Sequence, residues 1–316
     1  MNFSPALLRS PDQIAPPPPY KAGAAHVLRG QLVELSLGPR RWPTHLPAYG
    51  SNAHIRGSVS VSPEAGGGHV VVTLLGRMTT LSRARSLEVE LLRIIQVFPV
   101  PKCGEIIDFS FRLPSQPSFP LPPSTARLTD GLGIHIRYSI RATVHPPFLA
   151  FRRKERVECE ILYLPKTVIP VPLNPPPPLE SPDRTSWHRT PLAEPAGAVL
   201  LLPDTTVAAC DALPFAVELP YGADSSAVPR IELVRHVCAR VDDWAPRVVT
   251  LASAGADDRR LPACPGEVTW SVPGSVYVKY LVRVGETCVP LTVRTHSWDS
   301  ESAGVKGPAF ELAPRP

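Results

Sequence analysis

One long alternating strand occurs twice in this chain. Residues 134–144 read Ile-His-Ile-Arg-Tyr-Ser-Ile-Arg-Ala-Thr-Val, apolar or aromatic at even positions and mostly polar at odd ones. Residues 276–284 read Val-Tyr-Val-Lys-Tyr-Leu-Val-Arg-Val. Aligned on Tyr138 and Tyr280, both give apolar, basic, Tyr, any residue, apolar, Arg, apolar. A period of two marks a strand with one buried face. The first run is also longer than the usual five or six residues or so. Two such strands predict two similar β-sandwich domains in tandem, and 316 residues suffice for two cores at roughly 100–200 residues each. The 41 prolines exceed twice the average usage of about 5%. They leave little room for long helices, because an interior proline costs about 3 kcal/mol. The expected fold class is all-β: two tandem, immunoglobulin-like antiparallel β-sandwich domains.

A hydrophobic content of 43% and a mean hydropathy of +0.00 describe a chain that folds around a core. No early basic-then-apolar run suggests a signal peptide, and no stretch approaches the ~18 apolar residues of a membrane span. The six cysteines (Cys103, Cys159, Cys210, Cys238, Cys264 and Cys288) include no C-x-x-C pair. The expectation is a reduced, cytoplasmic chain with free thiols and no zinc. Charge is uneven: residues 26–166 hold 18 Lys/Arg against 10 Asp/Glu, and residues 199–300 hold 9 against 12. The first domain therefore favours acidic partners. Nucleic acid is not expected, for want of a dense basic helix or an aromatic-interleaved basic patch.

Residues 1–25 form a proline-rich tail expected to be disordered. Strand patterns then recur at 31–37, 54–61, 69–76, 87–98, 106–113, 134–144 and 157–164, separated by Gly, Pro and Ser clusters. The stretch Leu87–Val97 stays open between strand and short helix, because Leu87, Leu91 and Ile94/Ile95 also share a helical face. Residues 26–166 make the first domain. Residues 167–198, with Pro170, Pro172, Pro175–Pro178, Pro182, Pro191 and Pro195, read as an extended linker. Strands resume at 199–202, 206–210, 214–219, 229–241, 246–251, 267–272, 276–284 and 288–295, giving a second domain over 199–300 and a tail over 301–316. Phe109–Pro114 and Phe215–Pro220 share an F-x-Φ-x-L-P ending, but at different distances from the Tyr-centred strand. That echo is a pattern of strand ends rather than of duplication.

Several segments together resemble the arrestin family, in its α-arrestin (arrestin-related trafficking adaptor) branch. In order along the chain, Ile55-Arg56-Gly57-Ser58-Val59 resembles the family's V-x-G-x-V strand and Val70–Gly76 its I-x-V-x-F-x-G strand. Phe109–Pro114 resembles F-x-F-x-L-P, Leu121–Ser124 resembles L-P-P-S, and Ile136–Ala142 resembles I-x-Y-x-I-x-A. In the second half Cys210–Val217 resembles the G-D-x-I-P-h-x-V entry of the arrestin C domain, with Cys210 in place of Gly. Val228–Leu233 resembles the V-x-x-I-x-x-x-L that follows. The resemblance covers roughly 26–166 and 199–295, and the long proline-rich linker departs from it. It implies an arrestin-like N domain, an arrestin-like C domain and a non-enzymatic adaptor.

Pro17-Pro18-Pro19-Tyr20 is a P-P-x-Y sequence. A WW domain reads such a segment as a preformed polyproline helix, at low entropic cost, with Pro17, Pro18 and Tyr20 as the contact residues. The resemblance implies the partner, a WW-domain HECT ubiquitin ligase, although the family carries such motifs mostly in its C-terminal tail. The densest basic run, Arg152, Arg153, Lys154 and Arg156, is a candidate contact for anionic lipid or a phosphorylated tail. No nucleophile elbow, H-E-x-x-H or Walker loop occurs, so no catalytic residue, metal ligand or cofactor is expected.

The resulting expectation is an arrestin-like adaptor, not an enzyme. It would link cytosolic tails of membrane transporters or receptors to the ligase, for ubiquitination and endocytosis. It would be cytoplasmic, with peripheral recruitment to plasma membrane or endosomes. The alternative is a retromer-like structural trafficking scaffold without ligase recruitment.

Overall fold

A computed structural model describes residues 25–39, 46–65, 67–100, 106–113, 120–129, 131–146, 154–165, 167, 184–209, 211–264, 267–295, 298–299 and 304–305. Among them there is no α-helix, only strands and short 3-10 turns. In the first half the strands are β1 (Ala25–Arg29), β2 (Val33–Pro39), β3 (Ala48–Tyr49), β4 (His54–Val61), β5 (His69–Leu81), β6 (Ser86–Pro99), β7 (Ile106–Arg112), β8 (Thr125–Thr129), β9 (Leu132–His145) and β10 (Glu155–Tyr163). In the second half they are β11 (His188–Pro191), β12 (Val199–Leu202), β13 (Thr206–Ala208), β14 (Leu213–Pro214), β15 (Ala216–Glu218), β16 (Ile231–Ala239), β17 (Arg247–Ala254), β18 (Arg260–Leu261), β19 (Trp270–Val272), β20 (Val276–Val284), β21 (Thr287–Arg294), β22 (Trp298–Asp299) and β23 (Gly304–Val305).

The expected all-β fold in two sandwich halves is what the chain forms, and the two halves repeat one topology. The larger sheet of the first half runs β3-β10-β9-β5-β6 with β8 beside β9. That of the second runs β13-β21-β20-β16-β17 with β19 beside β20. In both, the two-to-three-residue edge strand (β3 or β13) joins in parallel while the neighbouring pairs are antiparallel. The smaller sheets also match. The first is β1-β2-β4-β7; the second is β11-β12-β15, with β14-β18 continuing it. Only Phe215 separates β14 from β15, and its N–H donates to the Arg259 carbonyl at 2.9 Å. In this correspondence β7 matches β18, not β15, so the two F-x-Φ-x-L-P endings lie on strands that do not correspond.

Alternation sets the cores. In β9 the inward residues Ile134, Ile136, Tyr138, Ile140, Ala142 and Val144 are buried. In β20 the same holds for Val276, Val278, Tyr280, Val282 and Val284. Tyr138 and Tyr280 are both 0% exposed, and a large side chain buried in this way stabilises by about 1.5–3 kcal/mol. Two glycines make room for aromatic rings. Gly57 faces Phe109 across β4 and β7, where an added Cβ would lie 2.5 Å from the ring. At Gly76 an added Cβ would lie 2.7 Å from the ring of Tyr138.

The stretch left open between helix and strand is strand β6. Its exposed positions are Ser86, Glu88 and Glu90, then Arg93, Ile95, Val97 and Pro99. The phase slips by one residue at Leu91/Leu92, as an inserted residue does. That slip is what gave the segment its helix-like spacing. Strands β1, β3, β8, β11, β18, β22 and β23 lie outside the expected strand ranges. β11 falls inside the proline-rich stretch 167–198, beside the buried Trp187.

By packing, the described residues within Met1–Gly76, Leu92–Leu113 and Arg137–Leu164 form one compact unit. Those within Arg77–Leu91, Pro114–Ile136 and Pro165–Pro316 form the other. No helix among the described residues is long and apolar enough to cross a membrane.

Candidate functional site

In the first unit the small sheet turns its outward side to a cleft of about 840 Å³. The outward positions of β4 and β7 supply His54, Arg56, Ser58, Asp108 and Ser110, and Ser36 and Tyr49 complete the wall. The strand register sets Ser58 opposite Asp108 and Arg56 opposite Ser110. The two charges are therefore diagonal neighbours on adjacent strands, roughly 7–8 Å apart at the backbone. Among the described residues neither Arg56 nor Asp108 has a side-chain partner. Among the described residues the cleft thus offers an unpaired cation, an unpaired anion and several hydroxyls, in a volume within the range of about 300–1,000 Å³ usual for a ligand site.

Lys154 and Arg156, the described members of the basic run, lie at one end of the larger sheet of the first half and have different fates. Arg152 and Arg153 lie outside the described residues, as do Pro17, Pro18 and Tyr20. Lys154 is exposed. Glu155 turns back to cap the β1–β2 turn, its carboxylate accepting from the Gln31 N–H and from the Leu32 N–H at 2.6 Å. Arg156 is committed to Glu158, which also accepts from Ser139 Oγ at 2.7 Å and pairs with Arg141 at 3.3 Å. Burial alone would raise the Glu158 pKa, but the Ser139 hydroxyl and the two guanidiniums hold it below the usual range. Of the described run, Lys154 alone presents an uncommitted charge.

Beside Lys154 stands a pair of histidines. The rings of His69, on β5, and His145, on β9, stack with centroids 4.6 Å apart and planes 8° from parallel. Gly68 permits the approach. Its φ is +98°, and an added Cβ would fall 2.0 Å from the His145 carbonyl oxygen. Partial burial, then His69 and Lys154, lower the His145 pKa, so the ring is neutral at neutral pH.

In the second unit a charged cluster is buried. Glu267 accepts from Arg127 at 2.8 Å, from Arg235 at 2.7 Å and from the Tyr280 hydroxyl; that hydroxyl accepts from the Val268 N–H at 3.2 Å. Arg235 stands on the inward face of β16, opposite Tyr280 in the register. Desolvation would raise the Glu267 pKa, but Arg127, Tyr280 and Arg235 together depress it. Burial likewise opposes the charge of Arg127, and Glu267 more than compensates, leaving its pKa raised.

Sequence reading did not single out Arg56 as a free charge, Asp108, the histidine pair or this cluster. One signal was available for Arg235: it interrupts the apolar period-two set Ile231, Leu233, Val237, Ala239. The histidines are 76 positions apart and meet only because β5 and β9 are neighbours. No group of three or more His, Cys, Asp or Glu among the described residues could hold a metal ion. No protein-family model matches the chain, and no match to a curated protein was found.

Proposed function

We propose that the chain is a trafficking adaptor of arrestin-like type, joining the cytosolic tail of a membrane protein to a WW-domain HECT ubiquitin ligase. The observation that carries this reading is the Pro17-Pro18-Pro19-Tyr20 motif ahead of two sandwich halves with one repeated topology. Pro17, Pro18 and Tyr20 contact the ligase. The cleft with unpaired Arg56 and Asp108 takes the cargo tail. The basic run Arg152, Arg153, Lys154 and Arg156 contacts an anionic membrane. The mechanism is proximity: two weak contacts on one chain raise the effective concentration of ligase at cargo. The protein itself performs no covalent step.

Binding of a peptide spanning residues 10–25, and of its Tyr20→Ala twin, to WW domains of HECT ligases tests the reading. Micromolar binding lost in the twin supports it. Equal or absent binding removes the ligase and leaves the retromer-like scaffold as the better account.

A further inference from the structure

We propose that His69, His145 and Lys154 form an acid-responsive contact for an anionic membrane surface, in which protonation of His145, stacked on His69, strengthens binding. The inference rests on the membrane-recruitment part of the function proposed above and adds its regulation. Three neighbouring strands bring the groups together on one outward face. His69 opens β5, His145 closes β9, and Lys154 directly precedes β10. The β9–β10 register sets Glu155 opposite Val144 and so carries Lys154 to His145.

The charge inventory favours an anion that comes from outside. Lys154 and His69 are the groups that act on His145, and no described carboxylate answers them. The carboxylates of β10 are occupied: Glu155 caps the β1–β2 turn, Glu158 holds Arg141 and Arg156, and Glu160 pairs with Arg137. With His69 stacked 4.6 Å away and Lys154 adjacent, His145 resists charging at neutral pH, and acidification then adds a proton to it. An anionic surface supplies the missing counter-charge and raises the affinity of His145 for that proton. By linkage, binding tightens as pH falls below the ordinary histidine range of about 6.5.

A membrane is favoured over a phosphopeptide by the connecting sequence. Between β9 and β10 the chain reads Phe148, Leu149, Ala150, Phe151 and then Arg152, Arg153. Apolar residues next to basic ones suit an interface with hydrocarbon below and charged headgroups above. An added charge near such a surface is worth roughly a fivefold gain in affinity.

The test is sedimentation of the full chain with vesicles of phosphatidylcholine and phosphatidylserine, and of phosphatidylcholine alone, at about pH 7.5 and about pH 5.5. The expected result is roughly fivefold tighter binding to the anionic vesicles at the lower pH, little binding to the neutral ones, and no pH step in a His69→Gln/His145→Gln variant. Lys154→Gln should weaken binding at both pH values and keep the step. A step that survives in the double variant overturns the inference, as does vesicle binding that is equal at both pH values; the latter leaves membrane recruitment standing. Acid-enhanced capture of a phosphoserine peptide without vesicle binding also overturns it. None of these results bears on the WW-domain contact, which the residue 10–25 peptide reads separately.

Discussion

Tyr138 and Tyr280 hold matching places in matching strands, yet their surroundings are opposite in kind. Tyr138 lies over Gly76 and packs on Tyr163, ring centroids 5.2 Å apart. Tyr280 faces Arg235 and gives its hydroxyl to Glu267. Burial comes first among the causes that push both phenol pKa values far up, so both rings stay neutral. The arginines of the repeat also diverge. Arg141 reaches Glu158 on β10, whereas Arg283 reaches Glu232 on β16 at 2.6 Å. A shared backbone plan thus sets the tyrosine against a glycine and a second ring in one half and against a charged cluster in the other. Apolar packing tolerates change in proportion to volume. A buried ionic cluster fails by leaving charge unpaired.

The largest expected difference follows from Glu267→Ala. It removes the carboxylate shared by Arg127 and Arg235, whose side chains are 19% and 12% exposed, and should cost about 3–5 kcal/mol in chemical denaturation. Replacing Arg127, Arg235 and Glu267 together by apolar residues of similar volume should be near neutral or stabilising by about 1–4 kcal/mol. If the single change proves as mild as the triple one, the cluster does not act as a unit and the contrast between the halves falls. The pH dependence carries the same sign. The Glu267 pKa is depressed on folding, so its contribution is present above the ordinary carboxylate range and is lost as pH falls through the folded value. Acid titration of Glu267→Gln should lack that component, seen as a smaller drop in stability between neutral and strongly acid pH.

Tyr280→Phe comes next. It takes a donor from Glu267 and leaves the Val268 N–H without its acceptor, for about 2 kcal/mol by thermal or chemical melting. Gly76→Ala probes the apolar counterpart. Its Cβ presses on the Tyr138 ring at 2.7 Å, an overpacking that costs about 1–3 kcal/mol. The more restricted unfolded chain returns about 0.5–1 kcal/mol of this. The net loss should therefore be smaller than for Tyr280→Phe, and a larger loss would mean that the apolar setting is the more rigid of the two.

The two central strands were legible because one face is buried along their whole length, which writes period two into the sequence. β6 stayed ambiguous because its phase slips at Leu91/Leu92, and no local rule separates a slipped strand from a helical face. β8, Thr-Ala-Arg-Leu-Thr, is too short to show a period, so Arg127 passed unnoticed. The candidate sites were the least legible part. Arg56 and Asp108 become neighbours only through the β4–β7 register, and Glu267 owes its role to residues 32 and 140 positions away. The basic run was visible as composition, but Glu155 folding back and Arg156 turning to Glu158 are decided by neighbours that local sequence does not display.

The smallest effect reads whether the halves fail separately. Cys159, inward on β10, has its thiol pushed up to about 12, first by burial and then by Glu160. Cys238, on β16, is also buried, and Cys288, on β21, is exposed. The thiolate is the reacting form and access controls its reaction. In the native chain a thiol reagent at neutral pH should therefore mark Cys288 early and Cys159 and Cys238 slowly, as followed by mass spectrometry of each cysteine peptide. In Glu267→Ala, Cys238 should be accelerated more than Cys159, because Arg235 shares β16 with Cys238, whereas Arg127, on β8, reaches the sheet of Cys159 only through β9. Equal acceleration at both sites would show that the charged cluster supports the packing of both halves, and Tyr138 and Tyr280 would then belong to one cooperative core.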